Sequence, residues 1–452
     1  MADLRIQDTL SGALRTLEPR EPGKVGIYAC GPTVYGRIHI GNARPYVVFS
    51  LLKRFLEHQG EDVTLVVNVT DVNDKIYDAA RVAGIESGEL AARMTDAYVE
   101  DTGLLGLGRP DAEPKATETI EAIVALIADL IERGHAYEGG GDVYFDVRSF
   151  AGYGRLSNRP LADMQQGEGD DAAGAKRSPQ DFALWKATKE GEDTSWPAPW
   201  GAGRPGWHIE CSAMAEQILG VDFDIHGGGS DLVFPHHENE IAQTEAARGR
   251  PLARLWMHNG MVQTGPEQKM AKSEGNTFLL HEAIAAFGRE AVLDFLISGH
   301  YRQPLAFSDE ALRQAQARVE RIRNFARGGS IDDAEPQGAA AEALEEFLAA
   351  LAEDFNTPRA MAALFRLIAA ANRGPVQGAG SALETMLGIV GLGSLLESGD
   401  GPDAEAEQLL AEREAARAER DFDRADAARA RLAELGWEVR DTPEGPMLVR
   451  SA

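Results

Sequence analysis

The segment His39-Ile40-Gly41-Asn42 follows an apolar run, Val25 to Cys30, and a Gly31-Pro32 turn, and it opens a helical pattern from Asn42 to about Gln59. A helix N-terminus beyond the end of a strand offers free N–H groups and a partial positive charge, which suits the phosphates of a nucleotide. A turn histidine bonded to local backbone is the competing reading of His39. A second basic element, Lys269-Met270-Ala271-Lys272-Ser273, lies in a polar stretch between Gly265 and Gly275. It holds two of only nine lysines, against 36 arginines. Such lysines can close over a triphosphate and offset charge as a phosphoryl bond breaks, although an ordinary exposed loop has the same composition. A third group concerns metal. His236 and Glu240 stand four apart in a helical pattern from Pro235 to Arg248, so both face one side and can grip one ion, while His237 and Glu238 are expected to point elsewhere. Cys30 and Cys211 are far apart and make no zinc-finger spacing, and isolated cysteines are more often buried small hydrophobes than ligands, so spacing alone does not support a metal site.

These residues need a frame. The run Val25 to Cys30, the helix after it and a β-rich run from Thr64 to Val72 form a strand–helix–strand unit, which implies a right-handed crossover and a parallel sheet. Further strands are expected at Phe223 to His226 and Leu255 to Val262, so both halves of the first 300 residues contribute to the sheet. Between them, residues 117–200 read as an insertion with one amphipathic helix, a strand at Asp142 to Val147 and a mobile loop near 166–177. Beyond Tyr301 the chain turns to long Ala, Leu, Arg and Glu helices. Its last fifty residues read as one helix from Ala404 to Leu435, then two short strands, Trp437 to Arg440 and Met447 to Arg450. On that helix Arg413, Arg417, Arg420 and Arg424 recur at helical spacing and are expected on one face, either as a solvated stripe or as a phosphate-binding one. The fold class is therefore α/β. A Rossmann-type parallel-sheet domain over 1–300 carries the insertion, a helical domain follows over 301–400, and a small α+β unit closes the chain over 401–452.

A chain of 452 residues accommodates about three domains. Its 72 acidic and 45 basic side chains give a net charge of -27, which disfavours nucleic acid except at local basic patches. With two cysteines, no secretory leader pattern and no apolar run near the roughly 20 residues a bilayer demands, the sequence reads as a soluble, cytoplasmic protein without disulfides or membrane contact.

Read together, YACGPTVYGRIHIGNAR, VNVTDVNDKIYDAA, PWGAGRPGWHIECSAM, FDIHGGGSDLVFPHHENEIAQ and KMAKS resemble the cysteinyl-tRNA synthetases of bacteria, a class I aminoacyl-tRNA synthetase family, over nearly the whole chain. The resemblance equates His39-Ile40-Gly41-Asn42 and Lys269 to Ser273 with the HIGH and KMSKS signatures, with two departures: Asn42 replaces the second histidine and Ala271 the first serine. It implies one Zn2+ per chain on Cys30, Cys211, His236 and Glu240, and cysteine bordered by Gly31, Thr70 and Trp207, with His226 and Asp231 near its amino and carboxylate groups. It also implies ATP, with Mg2+, on His39, Gly41, Asn42, Lys269, Lys272 and Ser273, of which His39, Lys269 and Lys272 are catalytic. The expected reaction joins L-cysteine to tRNA(Cys) through a cysteinyl-adenylate, on a monomer, with tRNA met by Arg413, Arg417, Arg420, Arg424 and the Arg313 to Arg327 region. Two other functions share the catalytic residues: the cysteine:amino-sugar ligase of mycothiol synthesis, and a non-catalytic zinc-dependent cysteine or tRNA-binding protein. The C-terminal helix and hairpin, superfluous for a small acceptor, favour tRNA.

Overall fold

After an N-terminal hairpin of Arg5–Asp8 and Ala13–Thr16, the apolar run that follows Lys24 becomes the first strand of the parallel sheet, β1 (Lys24–Ala29). It leads into helix α1 (Ile40–His58), which turns Ile40, Ala43, Val47, Phe49, Leu51, Phe55 and Leu56 inward, and then into β2 (Asp62–Val67). The computed structural model describes residues 3–161, 164, 175–265, 268–269, 278–327, 332–396, 404–442 and 445–450. Later in the chain follow α2 (Trp207–Leu219), β3 (Phe223–Gly229), α3 (Glu238–Arg248) and β4 (Ala253–Asn259). The four strands lie in the order β4-β3-β1-β2, every pair parallel. β3 is buried along its whole length, as a central strand covered on both faces must be. The sheet is thus built from both halves of the first 300 residues.

The expected strand from Leu255 to Val262 is in fact two. β4 ends at Asn259, and Gly260 turns the chain where a Cβ would sit 2.3 Å from the Gln303 carbonyl oxygen. Val262–Gly265 then pairs in parallel with Leu305–Ala306 and antiparallel with Gln268–Lys269. The fully buried Arg44 of α1 holds this junction. Its guanidinium donates to the carbonyls of Gly260 at 2.7 Å, Gln303 at 2.8 Å and His300 at 3.2 Å. Burial pulls its pKa down to about 10. The first turns of α1 are thereby fastened to the segment that leads into the lysine element.

The insertion is a helix, Ile120–Glu132, beside an antiparallel sheet of Ala136–Gly139, Asp142–Phe145, Phe182–Ala187 and Gly203–Pro205. The loop expected near 166–177 lies largely outside the described residues. Helices Leu280–Phe287 and Arg289–Ile297 follow the sheet, and beyond them the described residues up to 396 form four more: Asp309–Arg327, Ala339–Ala352, Thr357–Ala371 and Ala379–Ile389. They belong to one compact unit with the sheet, Met1–Leu395. Asp354 is the joint, accepting from Tyr301 Oη at 2.9 Å, Arg302 Nε at 2.8 Å and the Gln7 amide at 2.9 Å.

The second unit, Leu396–Ala452, corrects the sequence reading. The single helix from Ala404 to Leu435 is two, Ala404–Glu419 and Phe422–Glu434. Between them Arg420 takes a left-handed φ of 59°, and the Asp421 side chain caps the second helix by accepting from the Arg424 amide at 3.1 Å. The four arginines therefore share no single face. Arg413 is buried and paired with Glu414, whereas Arg417, Arg420 and Arg424 are exposed around the break. A hairpin of Trp437–Thr442 and Gly445–Arg450 completes the unit over a core of Ala406, Leu432, Trp437 and Leu448.

Candidate active site

The carboxyl ends of β1 and β2 meet where Gly31 and Asn68 touch. The Gly31 amide donates to Asn68 Oδ1 at 2.9 Å, and a Cβ on Gly31 would fall 1.7 Å from the Asn68 carbonyl oxygen, so only glycine fits. Just beyond, Thr70 pairs its backbone with Pro32 and Val34. Its side chain is buried.

His39 is the N-cap of α1. Its Nδ1 accepts from the Asn42 amide at 3.2 Å, and Asn42 Oδ1 accepts from the His39 amide at 3.3 Å, a reciprocal capping box. With Nδ1 accepting, the neutral ring carries its proton on Nε2. Gly41 leaves room for that ring, which would lie 3.0 Å from a Cβ. The first turn of α1 holds no acidic residue, so the helix terminus keeps its attraction for anions. The side chain of Lys269 and all of Met270, Ala271, Lys272 and Ser273 lie outside the described residues. The chain after them is well placed: the Ile40 amide donates to Phe278 and the Leu280 amide to Ile38, both at 3.0 Å. The return path from the lysine element is thus stitched to the backbone on either side of His39.

Behind Gly31 the sheet and two helices converge on a buried polar cluster. Cys30 directly follows β1, Cys211 sits on α2, His236 precedes α3 and Glu240 lies in its first turn. One ligand atom from each lies within 4.8 Å of the other three, and all four residues are buried. Glu240 Oε1 is 3.0 Å from His236 Nε2 and 3.6 Å from Cys30 Sγ. Two thiols, an imidazole and a carboxylate form a donor set that zinc accepts in tetrahedral sites, and it fits such an ion. Burial pushes the Cys30 thiol well above its ordinary range, so a cation must displace its proton on binding.

Outer contacts orient the donors. His236 Nδ1 shares a hydrogen bond with His208 Nδ1 at 2.9 Å, and the Trp207 ring stacks on His236 with centroids 4.3 Å apart. His226 Nε2 lies 2.7 Å from Glu240 Oε2, so His226 faces a candidate ligand. Asp231, by contrast, is exposed. His237 does not point elsewhere as the spacing implied. Its Nε2 is 3.3 Å from Cys30 Sγ, and its Nδ1 meets His258, which reaches Thr9 at 2.8 Å. The cause is a helix that starts irregularly, since Phe234 is extended with φ -141° and the turn after it swings both histidines inward. Periodicity missed His208, His237, His258 and Thr9. A signal existed in composition, because five of the ten histidines of the chain gather here.

Burial lowers His208, His236 and His258 to about 3, which keeps them as the neutral imidazoles that metal ligation and relays require. In the unfolded chain they take up protons below their ordinary value of 6.5, so stability is complete above that pH and is lost as pH falls toward 3. Each contributes a slope of up to about 1.4 kcal/mol per pH unit. Urea unfolding from pH 7.5 down to 5 is expected to show this loss, with a slope shallower by one proton in His258→Gln; equal slopes would refute it.

A parallel sheet with a helix-capping histidine at its carboxyl edge, paired there with the chain at residues 278–280, defines a class, and the comparisons agree. The model of the tRNA synthetases class I (C) catalytic domain matches residues 16–317. The DALR domain matches 346–392 and the cysteinyl-tRNA ligase anticodon binding domain matches 400–445. Methionyl-tRNA synthetase of Mycobacterium tuberculosis in complex with methionyl-adenylate superposes with a TM-score of 0.59 at 17% identity, over 86% of this chain and 94% of that one. A leucyl enzyme of Agrobacterium radiobacter, solved with tRNA, gives 0.59 at 13% over 85% and 86%. Cysteine–tRNA ligases of Alkalilimnicola ehrlichii and Halorhodospira halophila are 46% and 47% identical over 98% of both chains. The chain belongs to the cysteine–tRNA ligase family of class I aminoacyl-tRNA synthetases. Among the described residues no helix is long and apolar enough to cross a membrane.

Proposed function

We propose that the chain activates L-cysteine with ATP and transfers it to tRNA(Cys), with zinc held by Cys30, Cys211, His236 and Glu240 and Mg2+ accompanying ATP. The observation that carries this reading is the buried set of four donors beneath the carboxyl edge of the sheet. When bound, the metal supplies a Lewis acid that lowers the pKa of a thiol and has little affinity for a hydroxyl. The residues of the chain do the rest. The cysteine carboxylate attacks the α-phosphate of ATP, pyrophosphate leaves, and the mixed anhydride remains. His39 Nε2, the α1 terminus and Lys272 stabilise the developing charge, with Lys269 assisting and Ser273 among the groups that bind ATP. A terminal ribose hydroxyl of tRNA then attacks the activated carbonyl and loses its proton as the mixed-anhydride bond breaks and AMP leaves, a step served chiefly by positioning. Residues 1–300 act as the catalytic domain, 301–400 as a helical tRNA-binding domain and 401–452 as the anticodon-binding unit, in a monomer.

The test offers the purified protein cysteine, ATP and either tRNA or an amino sugar, while following pyrophosphate exchange into ATP and the metal content. Exchange that requires cysteine, with transfer to tRNA, supports the reading. Transfer to the sugar alone, or no exchange, overturns it.

For the C-terminal unit the break between helices is the informative feature. Phe422 is 66% exposed there, beside the exposed Arg417, Arg420 and Arg424. An exposed aromatic ring and exposed arginines near one helix break suit an unpaired base and its phosphates. Reversing Arg417, Arg420 and Arg424 to Glu is expected to weaken tRNA binding at least about tenfold and to lower its salt slope by about 3, with pyrophosphate exchange unchanged. Filter binding across a salt series measures both; unaltered binding would remove these residues from the interface.

A further inference from the structure

The cluster behind Gly31 accounts for a thiol, but a zwitterionic amino acid also brings an ammonium into a buried space, where an unpaired charge is costly. Most nearby carboxylates are committed. Glu240 meets His236 and His226, Glu238 accepts from the backbone amides of Gly154 and Ser157, and Asp71 accepts from the amide and hydroxyl of Thr117. Asp231 is exposed.

Glu210 differs from all of them. It is 1% exposed, and apart from the Thr70 side chain beside it neither carboxylate oxygen is held by a hydrogen bond of good geometry. Its surroundings are Thr70 and Asp71, with the fields of Arg204 and Lys186 reaching it from farther off. Both cations are already engaged, Arg204 with Asp74 and Glu192 and Lys186 with Asp74. On α2, Glu210 immediately precedes Cys211 and stands three residues after Trp207, whose ring covers His236. Successive helical residues project about 100° apart, so Cys211 can serve the metal cluster while its neighbour faces Thr70.

We propose that the Glu210 carboxylate receives the ammonium of the incoming amino acid, as a positioning and specificity residue whose orphaned oxygens are completed by substrate. This deepens the proposed function and rests on cysteine being the substrate. Asp71 adds a second negative charge to the same region. One helix then reads both ends of the discriminating part of the substrate, the sulfur through Cys211 and the nitrogen through Glu210.

The experiment compares wild type and Glu210→Gln, a variant of the same shape that keeps its hydrogen-bonding capacity, in pyrophosphate exchange. Cysteine is the substrate, and 3-mercaptopropionate, which is cysteine without its ammonium, is the competing probe. The KM for cysteine is expected to rise about 100-fold, with the KM for ATP, the metal content and the inhibition constant of 3-mercaptopropionate each within about threefold of wild type. An equal loss for both thiols would reduce Glu210 to a structural group, and an unchanged KM for cysteine would also overturn the proposal. Wild-type protein that shows no cysteine-dependent exchange would instead refute the substrate assignment on which it rests.

Discussion

Cys211→Ser is expected to lose most of its metal and about 1,000-fold or more in cysteine-dependent pyrophosphate exchange, because its site is built for a specific donor and has no apolar fallback. The serine oxygen is nearly isosteric with sulfur, so the packing of α2 against α3 should survive. What changes is chemistry, since a hydroxyl stays protonated at neutral pH and gives a borderline-soft ion little. Cys211 is 1% exposed, and its partners Cys30, His236 and Glu240 are equally enclosed, so no side chain from the surface can replace it. Elemental analysis measures the metal, and exchange run with cysteine and with serine measures the choice. The ratio between the two amino acids is the decisive number. A merely apolar pocket would separate such near isosteres by about 10- to 200-fold. If the metal-depleted, folded variant preferred cysteine as sharply as wild type, the discriminating role of this cluster would be lost.

How much of this was legible beforehand depends on the range of the interaction involved. The parallel sheet could be read because β1, α1 and β2 are consecutive and their apolar runs are local. His236 and Glu240 could be paired from their helical spacing, but Cys30 and Cys211 could be joined to them only through family resemblance, and the fold brings the four together from three separated segments. His237 was misplaced because helical spacing assumes a regular helix from Pro235, whereas the chain enters it through an extended Phe234. The C-terminal break was missed for a similar reason. Periodicity continues through Arg420, but Asp421 is a good N-cap, and a cap inside a long pattern is a sign of two helices. Glu210 carried no signal at all. A glutamate on an amphipathic pattern reads as solvent-facing, and only the packing of α2 beneath Thr70 makes it buried.

For the nucleotide half of the site, removing the His39 imidazole is expected to slow adenylate formation by about 100- to 1,000-fold, the usual effect of deleting one donor aimed at developing charge. Two roles coincide in this residue and need separate variants. Nδ1 caps α1 by accepting from the Asn42 amide, and loss of a cap alone costs about 1 kcal/mol of stability. His39→Ala removes both functions. His39→Asn keeps an acceptor for the cap and removes the Nε2 donor, so it should unfold like wild type while reacting as slowly as the alanine variant. The side-chain oxygen of Asn42 accepts from the His39 backbone amide and, being an acceptor, is no substitute for the lost donor. A single-turnover measurement with cysteine and ATP isolates the first step, and transfer from preformed adenylate to tRNA, in which AMP is the leaving group, is followed separately. Restored rates in His39→Asn would show that the histidine matters only as a cap, and the burden of stabilising the phosphate would pass to the lysine element whose returning chain is paired with His39.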